Sequence, residues 1–217
     1  MAGRLTGARA RLLQLLAFAL ALVVWSSAVA AESSDSIVRV EEDWELVVGT
    51  PDPYTNAPQM TCLLSPNAHT DGYYGAFVLN HQSLPVFEDG GLQLQIWDGE
   101  VPMSDRKFPD GNVMSQTGET VTWTQSMELD NGTLSFEILS GNSMTWGSFG
   151  GQGYLKSGVP SSLENLNGYD PAVSAENSGV GYAGNRVDSL VLKKVRLYTS
   201  DGAVLEDTTP RVVHTAN

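Results

Sequence analysis

Three acidic residues spaced two apart, Glu41, Asp43 and Glu45, stand in the stretch Val40-Glu41-Glu42-Asp43-Trp44-Glu45. In an extended strand successive side chains point to opposite faces. These three would therefore share one face, leaving Val40, Glu42, Trp44, Leu46 and Val48 on the other. Two carboxyls held close on one surface are what retaining glycoside hydrolysis needs, one ionised as nucleophile and the other protonated as acid. Mutual repulsion among three carboxylates would help keep one of them protonated. The competing expectation is a solvated acidic face, which also discourages edge pairing of a first strand. The solvated face is favoured, because only about ten residues separate the N-terminal leader, residues 1–30, from Glu41, and Glu42 interrupts the apolar series. A metal or other ligand role is the remaining alternative.

A second constellation suits binding rather than catalysis. In Leu92-Gln93-Leu94-Gln95-Ile96-Trp97, parity sends Leu92, Leu94 and Ile96 inward and Gln93, Gln95 and Trp97 outward. Two amides and an indole on one sheet face fit a neutral sugar: the ring stacks on tryptophan, and its hydroxyls meet amide donors and acceptors. The alternative is that a neighbouring loop covers Trp97. Asn80 and His81, closing Tyr73-Tyr74-Gly75-Ala76-Phe77-Val78-Leu79-Asn80, are candidates to border that face. Trp146, among glycines and small residues, is a candidate to line a loop-edged cleft, whereas Trp44 and Trp123 are expected in the core.

Hard-oxygen ligands for calcium are offered by Asp98, Asp105 and Asp110, with Glu100 and Asn112 nearby. Their spacing does not follow the EF-hand pattern, and Asp-Gly pairs form turns, so turns and solvation compete with calcium. His69, His81 and His214 are scattered without metal-site companions. No nucleophile elbow or phosphate-cradling loop is present. No cofactor is expected, calcium being the one ion left open.

The elements that must position these residues read as strands. Thr120 to Ser140 gives the clearest signal. Val121, Trp123, Gln125, Met127 and Leu129 alternate with polar residues, Asp130-Asn131-Gly132 supplies the turn, and Leu134, Phe136 and Ile138 resume the alternation. Residues 100–119 read as a loop, and one helical turn is expected at Ser161-Ser162-Leu163-Glu164-Asn165-Leu166. Apolar parity changes between Val191 and Val195, predicting a bulge near Lys193-Lys194. Strands with one apolar face each need a second layer, so the expected fold is all-β, an antiparallel two-sheet β-sandwich. Barrel closure shares the same signature.

Residues 1–30 read as a secretory signal peptide. Arg4, Arg9 and Arg11 precede the apolar run Leu12 to Trp25, and Ala28-Val29-Ala30 forms a cleavage site. The run is short for a membrane span, so no membrane anchor is expected after cleavage. Residues 31–208 then form a single domain, with 209–217 as a tail. Removing three arginines from a formal charge of −13 leaves −16, a surface that repels nucleic acid and anionic membranes. Cys62 has no partner in the chain and reads as an inert buried thiol. The expected location is periplasmic or extracellular.

The hairpin over Val121–Ile138, the compact Ser143-Met144-Thr145-Trp146-Gly147-Ser148-Phe149 and the closing stretch Asn177 to Gly202 together resemble the jelly roll of concanavalin A-like lectins and glucanases. The chain is also similar in texture to uncharacterised exported bacterial proteins. The first resemblance implies polysaccharide binding or cleavage, with calcium in some members. It would make Glu41 a nucleophile, Asp43 a tuner of its charge and Glu45 an acid/base. Three functions follow as expectations: a non-catalytic module binding neutral polysaccharide, a retaining glycoside hydrolase, or a structural or interaction protein of the envelope.

Overall fold

A computed structural model describes residues 35–50, 58–82, 89–151 and 153–216. The signal peptide and its cleavage site lie outside the described residues. Two antiparallel sheets carry the chain. In the first, β1 (Ile37–Val48) lies between β11 (Val187–Thr199) and β6 (Thr120–Asp130). β6 turns into β7 (Thr133–Ser143), whose far edge takes two short strands, β8 (Gly147–Phe149) and β9 (Lys156–Pro160). The far edge of β11 is likewise divided between β12 (Val204–Asp207) and β13 (Arg211–Thr215). The second sheet is a meander of β2 (Gln59–Leu64), β3 (Tyr73–Asn80), β4 (Gly91–Asp98) and β5 (Val101–Pro109), with β10 (Gly179–Gly181) beside β2.

Alternation explains how the sheets meet. Val121, Trp123 and Met127 of β6 are buried, as are Met60, Cys62 and Leu64 of β2 and Leu92, Leu94 and Ile96 of β4. Phe77 of β3 reaches across to Trp123 of β6, edge to face at 5.6 Å between ring centroids. Opposite the Phe136 ring of β7 only glycine fits: a Cβ on Gly75 would fall 2.5 Å from it. The structure is thus an all-β two-sheet sandwich. The β6–β7 hairpin turns on Asn131 and Gly132, both at positive φ (47° and 74°), as a type I′ turn requires. The bulge falls where parity placed it: pairing steps from Asp43↔Lys194 to Trp44↔Leu192, leaving Lys193 over.

Three expectations are corrected. Val101–Pro109 is strand β5 rather than loop. It escaped notice because it is an edge strand, mostly exposed, with prolines in place of strand formers. The supposed tail contributes β13, which pairs with β11. Ser161–Leu166 forms no helix, because Ile37 binds this part of the chain through Leu166 N–H and Asn167 Oδ1. The helix, α1, is Pro171–Asn177, where Asp170 caps Ala172 N–H at 2.8 Å and Pro171 occupies the first turn.

Candidate functional site

The acidic strand β1 has two different faces. On the outer one, Arg196 from β11 donates its Nε to Glu41 Oε2 at 2.8 Å and both Nη atoms to the Asp43 carboxylate at 2.7 Å. Tyr198 O–H adds a bond to Glu41 at 2.8 Å, and Thr124 O–H one to Asp43 at 2.7 Å. Arg39 pairs with Glu41 and lies 3.8 Å over the Tyr198 ring, while Lys193 pairs with Glu45 at 3.1 Å. Burial pushes the Asp43 carboxyl up, but Arg196 and Thr124 outweigh it and hold it below the usual carboxylate range. The bonds that Arg196 donates to Asp43 raise the guanidinium in turn. The solvated-face expectation needs correcting at Glu41, which is only 6% exposed.

Glu42 points the other way and is fully buried between the sheets. Trp44 Nε1 and Gln125 Nε2 donate to its Oε2 at 2.9 and 2.8 Å, and the Tyr169 hydroxyl donates to its Oε1 at 2.8 Å. Burial raises its pKa against the pull of hydrogen bonds from Ser174, Tyr169, Trp44 and Gln125 toward the ionised form. The same pocket holds Cys62, whose thiol is pushed well above its normal range by burial and by Glu42. Tyr169 connects this network to a shallow apolar cleft of about 240 Å³ whose lining includes Pro171, Val195, Leu197 and Leu205.

The outer face of the second sheet is neutral by comparison. Gln93, Gln95 and Trp97 all point out from β4 and are partly exposed. Trp97 Nε1 donates to Gln95 Oε1 at 3.2 Å, and Gln93 Nε2 donates to Asp105 Oδ1 at 2.9 Å. Directly opposite Trp97 on β3 stands Tyr74, its ring within 4° of parallel and its centroid 6.2 Å away. Asn80 shares this side of β3 but is buried against Gln59 at 2.8 Å, so it does not border the open surface. His81 is buried as well.

Trp146 sits at the end of the sandwich, stacked on Phe149 with centroids 4.7 Å apart. Its backbone N–H bonds Ser143 Oγ, which in turn bonds Glu119 Oε1; Thr145 Oγ1 donates to that same oxygen at 2.8 Å. Its neighbour Thr145, rather than Trp146 itself, lines a cleft of about 370 Å³ together with Asn112, Ser115 and Gln116. The calcium candidates do not converge. Asp98 pairs with Val101 at one end of the β4–β5 ladder, Asp105 opposes Gln95, and Asp110 lies past the other end, bonding Asn112. At about 3.3 Å per residue they are too far apart to share one ion. Among the described residues, no three His, Cys, Asp or Glu side chains gather as a metal set, and no helix is long and apolar enough to cross a membrane.

No family model matches the chain, and no curated protein matches it. Among solved structures it is similar to Scytalido-glutamic peptidase in complex with a peptide-based transition-state analogue, at 9% identity over 82% of each chain and a TM-score of 0.33. A second complex of Scytalido-glutamic peptidase, with a transition-state analogue inhibitor, gives 12% identity, 80% and 82% coverage and a TM-score of 0.32. Likeness at this level supports no conclusion about fold or activity.

Several residues of consequence were not singled out from the sequence. Tyr74 had the right parity but needed the β3–β4 register to be placed beside Trp97. Arg196 lies 155 residues from Glu41, and only the β1–β11 pairing joins them. Glu42 already shared the parity of Val40, Trp44 and Leu46, a signal that its carboxyl would be buried.

Proposed function

We propose that this is an exported, non-catalytic protein that binds neutral carbohydrate on the outer face of its five-stranded sheet. The observation carrying this reading is the pair of parallel rings Tyr74 and Trp97, partly open to solvent beside the amides of Gln95 and Gln93. The C–H face of a sugar ring stacks on an aromatic surface, and its hydroxyls exchange hydrogen bonds with the amides. The similarity in sequence texture to concanavalin A-like lectins supports the same class of ligand, and the N-terminal leader supports export. A net charge of −13 disfavours polyanions but not neutral glycans.

Retaining hydrolysis through Glu41 and Glu45 draws less support. Glu41 is tied to Arg196 and Tyr198, so little of it is free to approach a substrate. A partner-binding role in the envelope draws on exposed Val204, Leu205 and Val212 near the C-terminus. Calorimetric titration against a panel of neutral polysaccharides tests the main reading. Wild type should bind at least one, and Trp97→Ala should weaken that binding by roughly 2- to 13-fold, the loss of one aromatic stacking contact. Absence of binding across the panel would sink it.

A further inference from the structure

The tip of the β6–β7 hairpin carries a pattern that the turn alone does not require. Within these 217 residues, Asn131-Gly132-Thr133 is the one place where Ser or Thr stands two positions after an Asn. The type I′ turn accounts for Asn131 and Gly132, both at positive φ, and asks nothing of residue 133 beyond strand formation. Asn followed two residues on by Ser or Thr, with no proline between, is the acceptor pattern for N-linked glycosylation. A folded chain can carry that bulky product only at its surface. The hairpin meets the condition: Asp130, Asn131, Gly132 and Thr133 are all exposed. Space around the tip is open as well, since even a Cβ built on Gly132 would meet only Ser161 O, at 3.9 Å.

We infer that Asn131 is the attachment site of an N-linked oligosaccharide, taken from a polyprenyl-diphosphate-linked donor as the chain is exported. In the transfer, Asn131 Nδ2 attacks C1 of the donor sugar. The C1–O bond to the diphosphate breaks as the C1–Nδ2 bond forms. The amide releases one proton, and the polyprenyl diphosphate leaves with the bonding electrons. The folded hairpin can hold the product. Asn131 Nδ2 donates to Asp130 Oδ1 at 2.8 Å. An Asn amide carries two N–H groups, so glycosylation consumes one and leaves the other for Asp130. Ser161 N–H also bonds Gly132 O at 2.9 Å, which anchors the tip independently of the substituted amide. The chain supplies its own contrast in Asn167-Gly168-Tyr169. This is a second exposed Asn-Gly pair, but Tyr169 stands in place of Ser or Thr, and Asn167 Oδ1 accepts from Ile37 N–H at 2.7 Å. It should stay unmodified. The inference rests on the export part of the proposed function and not on carbohydrate binding by the Trp97 face.

The test expresses the full chain, with its own leader, in cultured animal cells, whose export membranes carry the lipid-linked donor. Protein from the medium is weighed by intact-mass spectrometry before and after treatment with an N-glycan amidase, and its peptides are mapped. Treatment should lower the mass and leave aspartate at position 131, with Asn167 untouched. Asn131→Gln and Thr133→Ala should each abolish the mass loss, and Thr133→Ser should restore it. Should Asn131→Gln strain the turn and not reach the medium, the two exposed Thr133 variants carry the test, because neither alters a positive-φ residue. Secreted protein whose mass the amidase does not change overturns the inference and leaves export standing. A mass loss that persists in Thr133→Ala overturns it too, by placing the glycan elsewhere. Full-length protein held in the cytosol with its leader intact overturns the export reading, and the inference with it.

Discussion

The two outer faces of the sandwich are built on opposite plans. On the face carrying β1 and β11, charge is locked into place: Arg196 fixes Glu41 and Asp43, and Tyr198, Thr124 and Arg39 close the network. On the face carrying β3 and β4, the outward side chains of those two strands are neutral and more sparsely bonded. Trp97 bonds Gln95, Gln93 bonds Asp105 of the neighbouring β5, and the rings of Trp97 and Tyr74 remain partly open. Side chains that already satisfy one another have little left to offer a ligand. The acidic motif that looks most like chemistry in the sequence is therefore the more structural surface, and the amide and aromatic surface is the more available one.

Stability measurements can break this comparison. The largest effect should come from neither face but from the core between them: Trp123→Ala, which removes the ring against Trp44 and Phe77, should cost about 3–5 kcal/mol in chemical denaturation. Next, Arg196→Ala should cost on the order of 2 kcal/mol, less than a fully buried pair because Asp43 is partly solvated. A cost near zero would mean that the network is decoration and that its carboxylates are free after all.

The neighbours Asp43 and Glu42 should also respond to pH in opposite directions. Asp43 is held below its usual range, so its contribution is present above that range and lost as pH falls through the lowered value. Glu42 is raised, so the folded state holds its proton longer than the unfolded state does. Its contribution is complete below its ordinary value near 4.5 and is lost as pH rises through the raised one. Glu42→Gln mimics the protonated acid and should flatten the alkaline side of the curve of melting temperature against pH. An unchanged curve would show that Glu42 is ionised in the fold. The smallest stability effect is expected at Trp97→Ala, within about 0.5 kcal/mol as for other surface positions. A loss as large as that of Trp123→Ala would place the indole in the core and remove the contrast between the faces.

Parity along single strands was legible from the sequence and carried far. It placed Trp44 and Trp123 inside, Trp97 outside and the bulge at Lys193. Partnership between strands was not legible. Nothing near Glu41 announces Arg196, and nothing near Glu42 announces Gln125 and Tyr169, because pairs so distant in sequence are set by sheet order alone. Exposed edge strands were also hidden, since β5 and β13 bury too little to leave an apolar alternation.

That division of edges has a consequence for how the molecule behaves in a crowd of its own copies. A long bare strand at a sheet margin is a template on which another chain can add. Here both margins of the larger sheet are broken into short pieces: β8 and β9 share β7, and β12 and β13 share β11. In the smaller sheet one margin is the three-residue β10. The other, β5, carries Pro102 and Pro109 with Asp105, Arg106 and Lys107 between them. Among the described residues, more than half of which lie in strands, every sheet margin is thus either short, divided or charged. The protein should stay dispersed at concentrations where a sandwich with long bare edges would begin to form fibres.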